Sequence, residues 1–170
     1  MTLAVSCLVL SACDGDGGGV IVPGRDDLSD VVDMTGTWTL TLNPVDPPLL
    51  FDCTEDLIGR SFSFCESFDV TVTQDGLFFL PEPGNGQGAS HCDSQFAMGG
   101  SSTVREISGA ITRTRTISLV PPELEIQNLE FRAGVIGDAA TFALARLTLQ
   151  GVDGECMMGG SYLGLRTDPP

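Results

Sequence analysis

From Thr35 onward the chain alternates with a period of two, and that alternation restricts its fold more than any other feature. Trp38, Leu40 and Leu42 alternate with Thr37, Thr39 and Thr41. Successive side chains of an extended chain point to opposite faces, so this run reads as a strand with one buried face. Phe68, Val70 and Val72 repeat the pattern against Asp69, Thr71 and Thr73, and Asp75-Gly76 predicts a tight turn into a return strand from Leu77. Ser108-Gly109 predicts another turn, between residues 104–107 and the run 110–120. In that run Ile117 and Leu119 are expected to face in, with Arg113 and Arg115 projecting from the exposed rim. Pro121-Pro122 breaks the chain. Leu124 and Ile126 then alternate with Glu and Gln, and a slip of phase at Asn128 predicts a bulge before Leu129 and Phe131. Glu123, Glu125 and Glu130 read as a solvated strand face. Gly137-Asp138 turns the chain into 141–150, with Ala143, Ala145, Leu147 and Leu149 on one face and Phe142 and Leu144 on the other. A turn at 151–154 leads to a last strand over 158–166. No stretch shows a capped 3.6-residue period. The expected fold is all-β, an up-and-down barrel of about eight antiparallel strands, with a β-sandwich as the alternative. Sequential hairpins favour the barrel, because strands adjacent in sequence tend to pair.

Gly36-Thr37-Trp38, at the start of the first strand, resembles the Gly-x-Trp of lipocalin-like and related calycin barrels. In that group the Trp plugs the barrel base and an Arg from near the last strand packs over it. The resemblance therefore implies a structural trio of Gly36, Trp38 and Arg166, the last in "GSYLGLRT". No C-terminal helix follows the final strand, so the likeness is one of lipocalin-like shape rather than membership of the true family.

The N-terminus carries a second pattern. Thr2 to Ala12 is apolar or small throughout, too short for a helix across a bilayer but the right length for the apolar core of a secretory signal. Leu10-Ser11-Ala12-Cys13 resembles the lipobox of bacterial lipoproteins, in which the Cys thiol takes a diacylglyceryl group and cleavage falls just before it. The pattern implies a signal peptide over 1–12, lipidation at Cys13, a tether over 13–33 and an all-β domain over 34–170. Residues 14–33 hold six Asp against one Arg among many Gly, a composition expected to be flexible and extended. A calcium-loop reading of "DGDGGG" fails, since Gly18 and Arg25 fall where ligands are required. The implied address is the bacterial cell envelope, facing the periplasm or the cell surface. Asp14 after the lipidated Cys resembles an inner-membrane retention signal of enteric bacteria, but that rule is not general and the outer membrane is preferred.

Net charge is −15 and all eight basic residues are Arg. Such a chain repels phosphate backbones and anionic headgroups, which argues against nucleic acid as a partner and against basic attraction to lipid. Six cysteines in so short a chain suggest export to an oxidising compartment. With Cys13 acylated and Cys7 removed, Cys53, Cys65, Cys92 and Cys156 remain, an even set with three connectivities. Cys53–Cys65 is the expected local pair, leaving Cys92–Cys156, whose partners each precede a Met-Gly-Gly-Ser.

Little in the chain suggests catalysis. His91, the only histidine, lies beside Cys92 and Asp93, but adjacent residues of a strand point apart and an oxidised Cys92 is no nucleophile. No GxSxG, P-loop or HExxH is present. No enzyme, cofactor or metal is expected. The expected function is that of a membrane-anchored lipoprotein whose barrel binds a small apolar ligand or lipid. The alternative is a structural or interaction module of the envelope that presents loops, chiefly 81–93, to another envelope protein.

Overall fold

The computed structural model describes residues 31–82, 92–104, 106–119 and 121–168. Among them run ten strands: β1 (Gly36–Leu42), β2 (Leu49–Phe51), β3 (Ser67–Asp75), β4 (Phe78–Pro81), β5 (Ser94–Ser102), β6 (Ile107–Leu119), β7 (Pro122–Ile136), β8 (Ala139–Leu149), β9 (Glu155–Gly159) and β10 (Ser161–Asp168). Every pairing is antiparallel. Seven of the strands follow one another as β1-β3-β4-β5-β6-β7-β8, and β10 pairs with both β8 and β1, so eight strands close an up-and-down barrel of lipocalin-like shape. Above the closure, β9 continues along β8 and carries β2 on its far side.

The alternation explains the first wall. Trp38 and Leu40 of β1 and Phe68, Val70 and Val72 of β3 are buried. The threonines between them form outer rungs, with Thr37 bonded to Thr71 at 3.1 Å, Thr39 to Asp69 at 2.7 Å and Thr41 to Ser67 at 3.2 Å. The centre is filled by aromatic rings, most of which meet across strands that are not neighbours. Phe68 stacks on Phe96 of β5 with centroids 3.9 Å apart and meets Tyr162 of β10 edge-on at 5.2 Å. Phe142 of β8 meets Trp38 at 6.0 Å and Phe131 of β7 at 5.1 Å, both edge-on. The edge-on contacts are a preferred arrangement of aromatic quadrupoles.

Several expectations change at strand level. Ser108-Gly109 is not a turn. Both residues lie within β6, and the chain reverses at 103–106, where Thr103 donates to the Glu106 carbonyl at 2.9 Å. Gly109 faces Gly100 of β5, where a Cβ on either would collide with the opposite backbone; these glycines let two strands approach rather than let the chain bend back.

No bulge sits at Asn128, since β7 keeps its register with β6 from Leu124 to Ala133. The extra residue is Ala145 on β8, between Leu144↔Phe131 and Arg146↔Glu130. Ala140, Phe142 and Leu144 therefore face inward before it, Leu147 and Leu149 after it. A bulge of this kind switches the phase of one strand and leaves its neighbour's alone.

The disulfides are Cys53–Cys156 and Cys65–Cys92, not the expected pairs. Pairing of β2 with β9 sets Phe51 opposite Met157, which brings Cys53 to Cys156 with Cα atoms 4.0 Å apart. The segment 52–66 then leaves β2 for β3, which parts Cys53 from its sequence neighbour Cys65. Closing a longer loop constrains the denatured chain more. With separations of 103 and 27 residues, replacing Cys53 and Cys156 by Ser is expected to cost about 4–5 kcal/mol, and replacing Cys65 and Cys92 about 3–4 kcal/mol. Urea unfolding of the two double variants measures the order.

Candidate functional site

Two constellations of polar side chains penetrate the barrel, one at each end. The first is built where β1 meets β10. Gly36 opens β1 at φ 122°, a conformation that favours glycine. Two residues on, Trp38 is fully buried and is the register partner of Arg166. The Arg166 guanidinium lies 4.8 Å from the centroid of the indole ring, within cation–π range. The indole Nε1 donates to the Met34 carbonyl at 2.9 Å, and Arg166 Nη2 donates to the Asp33 carbonyl at 2.5 Å.

These bonds hold the segment before β1 across the barrel end. Gln74 of β3 accepts from the Met34 amide at 2.7 Å and donates to the Val32 carbonyl at 3.2 Å, while the Ser102 hydroxyl reaches the same carbonyl at 2.6 Å. Met34 is driven fully out of water. Arg166 Nε lies 3.8 Å from Asp138 and, buried, makes no hydrogen bond. The base is a plug of main chain and Met34, fastened by Trp38, Gln74, Ser102 and Arg166.

The second constellation lies under the segment 52–66. Arg113 and Arg115 of β6 share the inward register with Ile111 and pair with Gln127 and Glu125 of β7. Arg113 is buried, whereas Ile117 is half exposed, the reverse of the expected order. The reason is strand length. β6 and β7 rise beyond the closed barrel as a long hairpin, so the rim lies further along β6 than its apolar residues suggest. Glu125 likewise leaves the expected solvated face and points inward.

The side chains here bond to one another and to the crossing segment. Arg113 Nε donates to the Ser94 hydroxyl at 2.8 Å, its Nη1 donates to the Ser63 carbonyl, and its guanidinium lies 5.9 Å from the Phe96 centroid. Arg115 Nε donates to Glu125 Oε1 at 2.6 Å and its Nη1 to the Ser63 hydroxyl at 3.2 Å; Gln127 Nε2 also donates to Glu125 Oε1, at 2.7 Å. Tyr162 adds a bond from its hydroxyl to the Cys65 carbonyl at 3.1 Å.

Burial lowers the Arg113 pKa, and the like charge of Arg115 adds to the effect; an arginine nonetheless stays protonated. Burial alone would raise Glu125, but hydrogen bonds from Arg115 and Gln127, with the charges of Arg115 and Arg113, hold it below the usual carboxylate range. Burial pushes the Tyr162 phenol far up. A carboxylate held ionised and a phenol held neutral are poorly matched to general acid–base work near neutral pH. The cluster acts as a clasp that ties 52–66 to β5, β6 and β7. Beside it, Gln95, Thr114, Thr116 and Leu124 line an open depression of about 580 Å³.

No family model, curated protein or solved structure matches the chain.

Cys53, Cys65, Cys92 and Cys156 are all in disulfides, which fits an oxidising, non-cytoplasmic compartment. Cys13, His91 and the loop residues 83–91 lie outside the described residues. Among the described residues no cluster of His, Cys, Asp and Glu could hold a metal. The sequence reading missed the clasp, although the signal was present. Carrying the inward phase of Phe131 and Leu129 back along β7 reaches Gln127 and Glu125, opposite Arg113 and Arg115 about the Pro121-Pro122 turn.

The lowered pKa of Glu125 gives a pH dependence. Its contribution is complete above the unfolded carboxylate value, about 4.3, and is lost as pH falls through that value toward the lower folded one. Glu125→Gln is expected to cost about 1–2 kcal/mol at pH 7, with the gap to the parent chain narrowing on acidification toward about pH 3. Urea midpoints of both proteins across that range measure it.

Proposed function

We propose that the chain is a non-catalytic, lipid-anchored protein of the bacterial cell envelope, whose barrel is a packed scaffold that works through its outer surface. The observation that carries the scaffold reading is Phe68, set between Phe96 and Tyr162 at the barrel centre. Rings drawn from β3, β5 and β10 occupy the space in which a barrel of eight strands would hold a small ligand. Both ends are crossed by chain, by 31–35 at the base and by 52–66 at the clasp, which also favours a scaffold over a carrier. The anchor reading is supported by Leu10-Ser11-Ala12-Cys13, and the disulfides are in keeping with an exported domain.

The proposal is tested by producing the chain with its own N-terminus in a bacterium that processes lipoproteins. Intact mass is expected to give a species beginning at Cys13 with added acyl mass; a mature chain with an unmodified Cys13 refutes the anchor. Native mass spectrometry and apolar extraction are expected to recover no stoichiometric small molecule from the barrel. Recovery of one lipid per chain overturns the packed scaffold in favour of a carrier.

A further inference from the structure

The hairpins at the base of the barrel present bulky apolar side chains to solvent. Phe78, in the first residue after the β3–β4 turn, is 63% exposed, Val104 in the β5–β6 turn 58%, and Ile136, the last residue of β7, 88%. Leu165 of β10, 57% exposed, continues the apolar rim, because it and Ile136 both pair with Ala139. These positions are spread around the barrel mouth over β4, β5–β6, β7 and β10. Isolated exposed apolar residues need no explanation, but repeated ones at the tips of successive turns form a surface that water does not favour.

Exposure alone does not choose an end, since Val45 and Ile58 near the other end are also exposed. The course of the chain does. The segment 31–35 reaches the barrel at the base, through its bonds to Gln74, Ser102 and Arg166. Only residues 14–30 separate Cys13 from it. A flexible tether of that length has an average span of about 20–25 Å. An acyl group on Cys13 would therefore keep this end, where the tether joins, nearer the bilayer on average.

We infer that the base of the barrel docks on the membrane, with Phe78, Val104 and Ile136 entering the boundary between headgroups and acyl chains. The inference rests on the anchor reading for its choice of end. Apolar side chains on a peripheral protein bind at that depth through the area they remove from water. Asp75, Glu106 and Asp138 stand among the same tips, with Arg132 3.4 Å from Glu106 and Arg166 3.8 Å from Asp138. A rim with these carboxylates on a chain of charge −15 selects a zwitterionic surface and is repelled by an anionic one.

The test places tryptophan reporters on the full-length, processed protein, as Val104→Trp, Ile136→Trp and, at the opposite end, Val45→Trp. Trp38 is fully buried and gives a constant background. On phosphatidylcholine vesicles with brominated acyl chains, emission from positions 104 and 136 is expected to be quenched and that from 45 unchanged. The quenching should weaken when phosphatidylglycerol is mixed in. In the unacylated chain 13–170 carrying Cys13→Ser, made without the segment 1–12, each of Val104→Asp and Ile136→Asp is expected to weaken partitioning into phosphatidylcholine by about tenfold.

Intact mass separates this inference from the anchor beneath it. An acylated chain whose tips stay unquenched keeps the anchor and overturns the docking, leaving the apolar tips to a protein partner. A chain without acyl mass whose tips are quenched keeps the docking and overturns the anchor. Quenching at 45 in place of 104 and 136 overturns the orientation.

Discussion

Closure of the sheet by β1 against β10 is the constraint on which the rest of the molecule depends, because it fixes which residues face each other across the interior. The register that joins Trp38 to Arg166 also joins Leu42 to Tyr162. Tyr162 is thereby delivered to the centre, where it meets Phe68, and its hydroxyl to the carbonyl of Cys65. A slip of one residue along this seam would turn every inward side chain of β10 outward. Gly164, between Tyr162 and Arg166 on the inner face, shows how tight the seam is. A Cβ there would run into the Phe142 ring, and it would lie 3.4 Å from Trp38.

The two ends are closed by different chemistry. At the base, main-chain carbonyls at Val32, Asp33 and Met34 accept from Gln74, Ser102, Arg166 and Trp38. The Met34 carbonyl is buried and would be costly without a donor, and the remaining bonds hold irregular chain across the barrel mouth. At the other end a buried charge is the fastener. Arg113 is tolerable there because Ser63 and Ser94 accept from it and Glu125 supplies opposite charge nearby. The two disulfides hold the same segment near its ends. The surface is left to do the work proposed for it.

Most of the wall was legible in the sequence, and its failures share a cause. The alternations in β1 and β3, the turns at Asp75-Gly76 and Gly137-Asp138, and the all-β barrel follow from local periodicity and turn chemistry. The Gly36, Trp38 and Arg166 trio came from a resemblance rather than from periodicity. Ser108-Gly109 was misread because a glycine that bends a chain and one that admits a neighbouring strand look alike in one dimension. The phase error in β7 has the same root: Glu125 reads as part of a solvated face and Asn128 as a bulge, but with the register unbroken the inward phase of Phe131 and Leu129 runs back to Gln127 and Glu125. The disulfides failed for a related reason: Cys53 and Cys65 are near in sequence, but a crossing segment separates them.

The sequence by itself determined the strand class, the inner and outer faces of the first strands and the acidic character of the surface. It also supplied, at the N-terminus, the pattern on which the proposed address rests. These depend on side-chain period and charge, which are local. Only the tertiary structure decided that Arg113 is buried rather than exposed, that Cys53 joins Cys156, and that Phe78, Val104 and Ile136 share one end with the incoming chain. Each of those depends on which strands pair and on how far each extends past the barrel, and pairing between distant segments leaves no periodic trace in either one alone.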